Sequence, residues 1–532
     1  MTFFTVDYAS PSAFDSNAEN AQLGLAANAR RPVRFSGTVK RNIPLLRFAL
    51  RALGEAIWSN EGWLNDSDST FVLDPIITVH PDQLYFEAFS QDESTYVRLS
   101  VDPAMFHLDG PVQTGTTNVD FSAWLWGALG EMRSSRATRF SIAAGGFEVK
   151  TTQAGGRFEQ KVELPHSWVR GLLQVQSAMT FPGTRLALRP IDLLAAIRYL
   201  RYVKARVSPR ALRYEMHPDQ DARLVLEPWE HTLALHGASH GYTESRIIRT
   251  WGRQRLKLIE PLLPFADNVR VYLKGRAMPS FYVVDLPGMR FMLGLSGFAG
   301  QRFSRDVGFD LVNSLEGQDA GAPERVIAHL ARQYKAGSAD VARECGLELN
   351  VATAILDRLT RQGRVMFDIE TREYRHRELF ETPIDEAEYF PPDLRQEEAA
   401  GFIRRGSVTV SKLETEETRK VRNFKTLEGR ITREVIYRDW HAEGRVADQD
   451  QVSVVINESG QVIFGQCTCA FFRDNLLNAG PCSHMRALHL AVRERMRDEP
   501  TSVAAARPPE AQPGVRESGN APGNDKAQDG EE

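Results

Sequence analysis

The chain has 532 residues, 42% of them hydrophobic and 25% charged, and 69 acidic side chains nearly balance 65 basic ones for a net charge of −4. That length supports about three domains with cores of their own, and the composition is that of a soluble globular protein. The near-neutral balance excludes a global field drawing the whole molecule onto DNA or an acidic membrane, so any nucleic-acid surface must be a local patch.

The N-terminus, MTFFTVDYASPSAFDSNAENAQ, has no basic stretch followed by an apolar core and does not read as a secretory signal. No apolar run reaches the roughly 18 uncharged residues of a membrane span; LLRFALRALGEAIW is broken by Arg47, Arg51 and Glu55. With only four cysteines, three of them close together, a reducing compartment is expected rather than a disulfide scaffold. These features predict a soluble cytoplasmic protein with no membrane partner.

Residues 1–30 are small and polar and predict a disordered N-terminus. From 31 to 312, strand-like alternation (PIITVHPDQLYFEAF, STYVRLSV, RFSIAAGGFEVKT, GRFEQKVEL) is interspersed with helical periodicity (NIPLLRFALRALGEAIW, DFSAWLWGALGEM, SWVRGLLQVQSAM, PIDLLAAIRYLRYVKAR). Helices and hairpins arrive in clusters without regular βαβ crossovers, which predicts an α+β region rich in antiparallel sheet. The helix-then-hairpin pattern recurs without a residue-level repeat. Arg198, Arg201, Lys204, Arg206, Arg210 and Arg213, interleaved with Tyr199, Tyr202 and Tyr214, allow a phosphate-tracking stripe. A solvated helix face is the ordinary reading of the same pattern, and of RIIRTWGRQRLKLIE after it. His236, His240 and Glu244 sit in HGASHGYTES, where two glycines and no helical period argue against a metal site.

Residues 313–322 read as a linker. A helix opened by Pro323 follows, then a short helix with Ser338 as its cap and Gly346 at its end. Asn350 opens a third helix that Gly363 ends, and two β-like runs close the unit. Over 323–380 this is the order of a winged helix-turn-helix, with Val326, Ile327, Leu330, Val341, Ala342, Leu347, Ala354, Ile355 and Leu359 as its core. Such units read bases from the third helix. The candidate nucleic-acid contacts are therefore Asn350, Thr353, Arg358, Arg361 and Gln362, with Arg364, Arg372, Arg375 and His376 on the wing. Asp357, Asp368, Glu370 and Glu373 dilute that charge, so packing against a neighbour or a partner protein stands as the alternative.

Residues 381–400, acidic and Pro-containing, read as a second linker. A β-rich segment fills 401–498, and the Pro/Gly-rich tail 499–532 is expected to be disordered. No phosphate-binding glycine loop, dinucleotide fingerprint, zinc-protease motif or nucleophile elbow occurs, and no small-molecule substrate is indicated.

The most specific pattern lies in the β-rich segment: Cys467-Thr-Cys469, a gap from Ala470 to Pro481, then Cys482-Ser-His484. Three thiolates and one imidazole are a tetrahedral set for a single structural zinc ion and leave no position for a substrate. Asn457–Gly460 supplies turn chemistry before the strand that delivers Cys467. Cys482 and His484 open a helix whose N-terminal amides favour a thiolate. Phe464, Phe471, Phe472, Leu476, Leu477, Leu488 and Val492 are expected to pack around the site, Arg473 and Arg486 to offset its charge, and His489 to be a packed or surface residue.

These residues, their preceding hairpin and the apolar helix after them resemble the SWIM zinc finger, a ββα module with the pattern Cys-x-Cys, gap, Cys-x-His. The resemblance covers about 430–495. It implies DNA or protein binding, in the company of transposases, Swi/Snf-type helicases, or bacterial MoxR-type ATPase and von Willebrand-type systems. The expectation is a multidomain α+β protein: an antiparallel-sheet-rich N-terminal region, a winged helix and a C-terminal ββα zinc module. It would act as a zinc-binding, non-enzymatic adaptor for DNA, for protein, or for both, beside an ATPase partner. The alternatives are a transposase- or nuclease-like enzyme targeted by the zinc module, and a purely protein-binding scaffold.

Overall fold

Ala21, Leu23 and Leu25 recur at every second position and are buried, and this period makes Asn20–Ala26 a strand rather than part of a disordered terminus. The expectation for residues 1–30 is corrected accordingly. Phe4–Asp7 and Ala13–Ser16 are strands as well, and Asn20–Ala26 pairs in parallel with Ala137–Ala143, more than a hundred residues away. A partner so distant leaves no local signal. The computed structural model describes residues 4–58, 74–143, 161–297, Phe303 and 321–498, apart from 165, 207–209, 276–277, 381–383, 385–388, 390–393, 427–428, 448, 458–461 and 478–479. The tail 499–532 and most of the linker 313–322 lie outside the described residues.

The chain is a mixed α+β structure with several antiparallel sheets. Its centre is an eight-stranded sheet. In spatial order the strands are Thr184–Leu188, Asn268–Leu273, Ser280–Leu286, Met289–Leu295, Thr95–Val101, Leu84–Phe89, Ile76–Val79 and Gly115–Asn118. Met289–Leu295 pairs with Thr95–Val101, with Phe291 opposite Leu99, and so joins the early and late parts of the N-terminal region. Both faces of this sheet are buried, which is why its strands read as near-continuous apolar runs. Leu84, Phe86, Val97, Leu99 and Val101 belong to the first core, which includes the helix Ile43–Trp58. Phe89, Tyr96, Phe281, Val283 and Met292 belong to a second core, made with the helix His166–Thr180 and with residues beyond 320.

That later unit runs helix Ala322–Gln333, strand Lys335–Ala336, helix Ser338–Cys345, helix Leu349–Arg361, then strands Val365–Asp368 and Glu373–His376. Its small sheet has the first strand beside the last. Gly346 ends the second helix in the left-handed region at φ 66°. The third helix begins two residues earlier than a cap at Asn350 predicts, at Leu349 with Glu348 as its cap. Gly337 holds the cap position expected of Ser338.

Polar groups pin this unit to the central sheet. Glu87, fully buried, accepts from Tyr96 Oη (2.5 Å) and Gln176 Nε2 (3.4 Å) and is ion-paired with the equally buried Arg377. Arg98 reaches Asp368 at 3.4 Å, and Gln176 Oε1 accepts from the Phe367 amide at 3.1 Å.

The predicted linker 381–400 is corrected at its end, because Leu394–Arg404 is a helix with Ala399 fully buried. Its buried positions, Ala399 and Gly401, are small and go unnoticed in the acidic stretch. It packs on the helix Ser483–Asp498, which in turn covers a four-stranded antiparallel sheet of Val408–Thr426, Gly429–Val446, Gln449–Asn457 and Val462–Cys467. Trp440, Ala442, Val452, Val454, Ile456, Met485, Leu488 and Val492 form this third core.

Candidate metal centre

The hairpin of Gln449–Asn457 and Val462–Cys467 sets Cys467 opposite Val452 at the end of the sheet. Two residues on, Cys469 is the cap of the short helix Ala470–Asn475, and its sulfur accepts from the Phe472 amide at 3.4 Å. Gly480, at φ 74°, turns the chain back, and Cys482 lies at the entry of the helix Ser483–Asp498 with His484 in its first turn. Gly465 lets that helix close down: a Cβ there would stand 2.7 Å from the Ser453 carbonyl and 3.2 Å from Met485 Sδ.

The four predicted ligands come together. One donor atom from each of Cys467, Cys469, Cys482 and His484 lies within 4.8 Å of all the others. Cys467 and Cys482 are buried, and Cys469 and His484 half-buried. The three thiols compete for negative charge. A hydrogen bond from Cys482 lowers the Cys467 thiol. That same bond raises Cys482, and burial raises Cys469. A dication supplies the charge that would let all three ionise, and a soft three-sulfur, one-nitrogen set suits zinc. The donor set therefore fits a metal ion with no open position.

Two contributors lie some 80 residues upstream, where no spacing could announce them. Phe402 stacks on the His484 ring (5.2 Å between centroids, 19° between planes), and Arg395 lies over Phe471 at 4.6 Å. Arg486 is buried and donates to the Pro481 carbonyl at 3.2 Å, so it braces the turn into Cys482. Arg473 is exposed and pairs with Asp474. Leu488 and Val492 are buried as expected, Phe471, Phe472 and Leu477 pack at the edge of that core, and Phe464 is 52% exposed, outside it. His489 is buried.

The predicted nucleic-acid contacts differ in exposure. Asn350, Arg358 and Arg372 are exposed, while Thr353, Arg361 and Arg364 are half-buried. Thr353 Oγ1 donates to the Leu349 carbonyl at 2.8 Å, and Arg364 faces Glu378 at 3.6 Å. Arg375 is corrected outright: it is 1% exposed, grips Asp82 at 2.8 and 3.1 Å and lies over the Tyr85 ring. It is a clamp between two parts of the chain, unable to reach a phosphate. Among the described residues, no other group of three or more His, Cys, Asp or Glu is placed to hold a metal ion, and no helix is long and apolar enough to cross a membrane.

No protein-family profile and no curated protein matches the chain. Among solved structures, the proliferating cellular nuclear antigen of Entamoeba histolytica is 8% identical with a TM-score of 0.32, covering 50% of this chain and 99% of that one. The A. fulgidus PCNA bound to the C-terminal region of FEN-1 is 12% identical, and the PCNA2–PCNA3 complex of Sulfolobus tokodaii 10%. Both have a TM-score of 0.32 and cover 50% of this chain, with 98% and 100% of the respective matched chains. A likeness at that score carries no argument about function.

Proposed function

We propose that the chain is a zinc-binding, non-enzymatic adaptor. A SWIM-like finger built on Cys467, Cys469, Cys482 and His484 and a winged helix over 323–380 would carry its contacts to DNA, to protein, or to both. Energy-using chemistry would come from a partner ATPase encoded elsewhere, as the SWIM resemblance implies. The observation that carries this reading is the meeting of three sulfurs and one imidazole within 4.8 Å where a hairpin hands over to a helix. Four protein ligands complete a tetrahedral zinc shell and leave no site for a reacting water, so the metal organises a binding surface. The helix–strand–helix–helix–hairpin order supports the winged helix.

A protein target for the helical unit is supported by one specific observation, the withdrawal of Arg375 into the ion pair with Asp82. Titration of a fluorescent duplex across a salt series separates the two. A steep loss of affinity with salt that flattens in Arg358→Ala/Arg361→Ala supports DNA contact by the third helix. Salt-independent binding, or none, leaves protein as its target.

A further inference from the structure

Two strands of the C-terminal sheet outrun their neighbours. Val408–Thr426 and Gly429–Val446 stay paired throughout, but Gln449–Asn457 accompanies the second only from Asp439 to Val446. Past Asp439 the pair continues alone, Glu417–Thr426 against Gly429–Arg438, as a two-stranded ribbon with neither edge paired among the described residues. At about 3.4 Å per residue it extends roughly 30 Å beyond the sheet.

The charge along this ribbon changes character from base to tip. At the base the charge is mixed and largely acidic: Lys412 faces Glu443, Glu417 faces Arg438 with an ion pair of 2.7 Å, and Glu416 faces Asp439. Toward the tip, cations face cations. Lys425 is paired with Arg430, and Arg422 with Arg433. Arg419 and Lys420 add to them, and among the paired positions beyond Glu417 and Arg438 the single acid is Glu434. Like charges at directly opposed positions destabilise a hairpin, and an isolated two-stranded ribbon has little stability to spare. Protecting a free edge needs charge but not this matching of sign. Doubled cations on a projecting ribbon, in a chain whose net charge is −4, are complementary to a polyanion.

We propose that the paired strands Glu417–Thr426 and Gly429–Arg438 bind duplex DNA by entering its major groove, as a site separate from the metal centre and from the third helix of the helical unit. The major groove, about 12 Å wide, admits a two-stranded ribbon. That of A-form RNA is too deep and narrow. Single-strand binding relies on repeated aromatic platforms, and the ribbon beyond its base carries only Phe424 and Tyr437. By register, Asn423 and Thr432 share a face with Lys425 and Arg430, and Arg422 and Arg433 occupy the other face with Phe424 and Ile431. The first face thus joins base-reading residue types to cations, and the second adds cations for the flanking phosphates.

The test uses the full-length chain, a duplex of about 30 base pairs and fluorescence anisotropy from about 50 to about 200 mM salt, with Arg422→Ala/Lys425→Ala/Arg430→Ala/Arg433→Ala beside the wild type. Four lost phosphate contacts make the slope of log K against log salt shallower by about 3.6, so that over this range the wild type loses about 100-fold more affinity than the variant. A charge-keeping variant, Arg422→Lys/Arg433→Lys, retains the wild-type slope. Metal content and melting of the quadruple variant stay unchanged, because the altered positions lie beyond the third core. An unchanged slope in that variant overturns the proposal, even if Arg358→Ala/Arg361→Ala weakens binding and so leaves the helical unit's role standing. Tighter binding of polyglutamate or double-stranded RNA than of duplex DNA overturns it as well, by assigning the ribbon another polyanion.

Discussion

Replacing Arg377 by Met should loosen the attachment of the 322–380 unit to the central sheet. Arg377 and Glu87 form an ion pair in which both side chains are fully removed from solvent. Met keeps the aliphatic volume but leaves the Glu87 carboxylate with Tyr96 and Gln176 as its remaining donors. Breaking one side of such a pair costs about 3–5 kcal/mol, chiefly because a buried charge is left uncompensated. At roughly 2–4 °C per kcal/mol for a cooperative block of about 150–250 residues that includes both sides of the seam, the first calorimetric transition should fall by about 10 °C. Arg377→Met/Glu87→Gln removes both charges while keeping an acceptor for Tyr96, and should recover at least about 2 kcal/mol of the loss. Scanning calorimetry on the four proteins of the cycle measures this. A single variant within about 0.5 kcal/mol of wild type, or a double variant as unstable as the single, refutes the claim that this pair holds the two parts together.

Other outcomes follow from the same seam. Burial holds His80 down at about 4, beside the Arg375 guanidinium, with Nε2 donating to the His376 carbonyl at 2.8 Å. A depressed imidazole contributes stability that is complete above about 6.5 and is lost as pH falls through 4, by about 3 kcal/mol. His80→Gln should remove that part of the slope in denaturant titrations between pH 4 and 7. Asp357, accepting from Tyr374 Oη at 2.9 Å, is raised by burial to about 6. Its sign is opposite: the folded state holds the extra proton, so stability declines as pH rises from about 4 to 6. Asp357→Asn should therefore stabilise by about 2 kcal/mol at pH 7 and be near neutral at pH 4, in paired denaturant titrations at the two pH values.

Local patterns carried much of this architecture. The 3.6-residue period of IPLLRFALRALGEAIW became the helix Ile43–Trp58, and the alternation of STYVRLSV became Thr95–Val101. The metal cluster was legible because all four ligands fall within one strand–helix unit, where spacing along the chain becomes spacing in space. Long-range relations were not. Nothing near Asn20–Ala26 announces its partner Ala137–Ala143. Phe402 and Arg395 reach the metal cluster from a helix hidden in an acidic stretch. Arg375 was misread because a wing arginine looks the same in sequence whether it meets a phosphate or Asp82; only the docking of the unit onto the sheet decides. The ribbon escaped for a related reason, since strand-like alternation shows that 408–446 is extended but not that a third strand abandons it at Asp439.

The central claim is that a metal ion organises the C-terminal module, and elemental mass spectrometry of the purified full-length chain tests it most directly. One equivalent of zinc per chain is predicted, lost in Cys467→Ser together with the cooperative melting of the 394–498 segment. A chain free of metal whose C-terminal sheet and helix nonetheless stay folded would contradict the account.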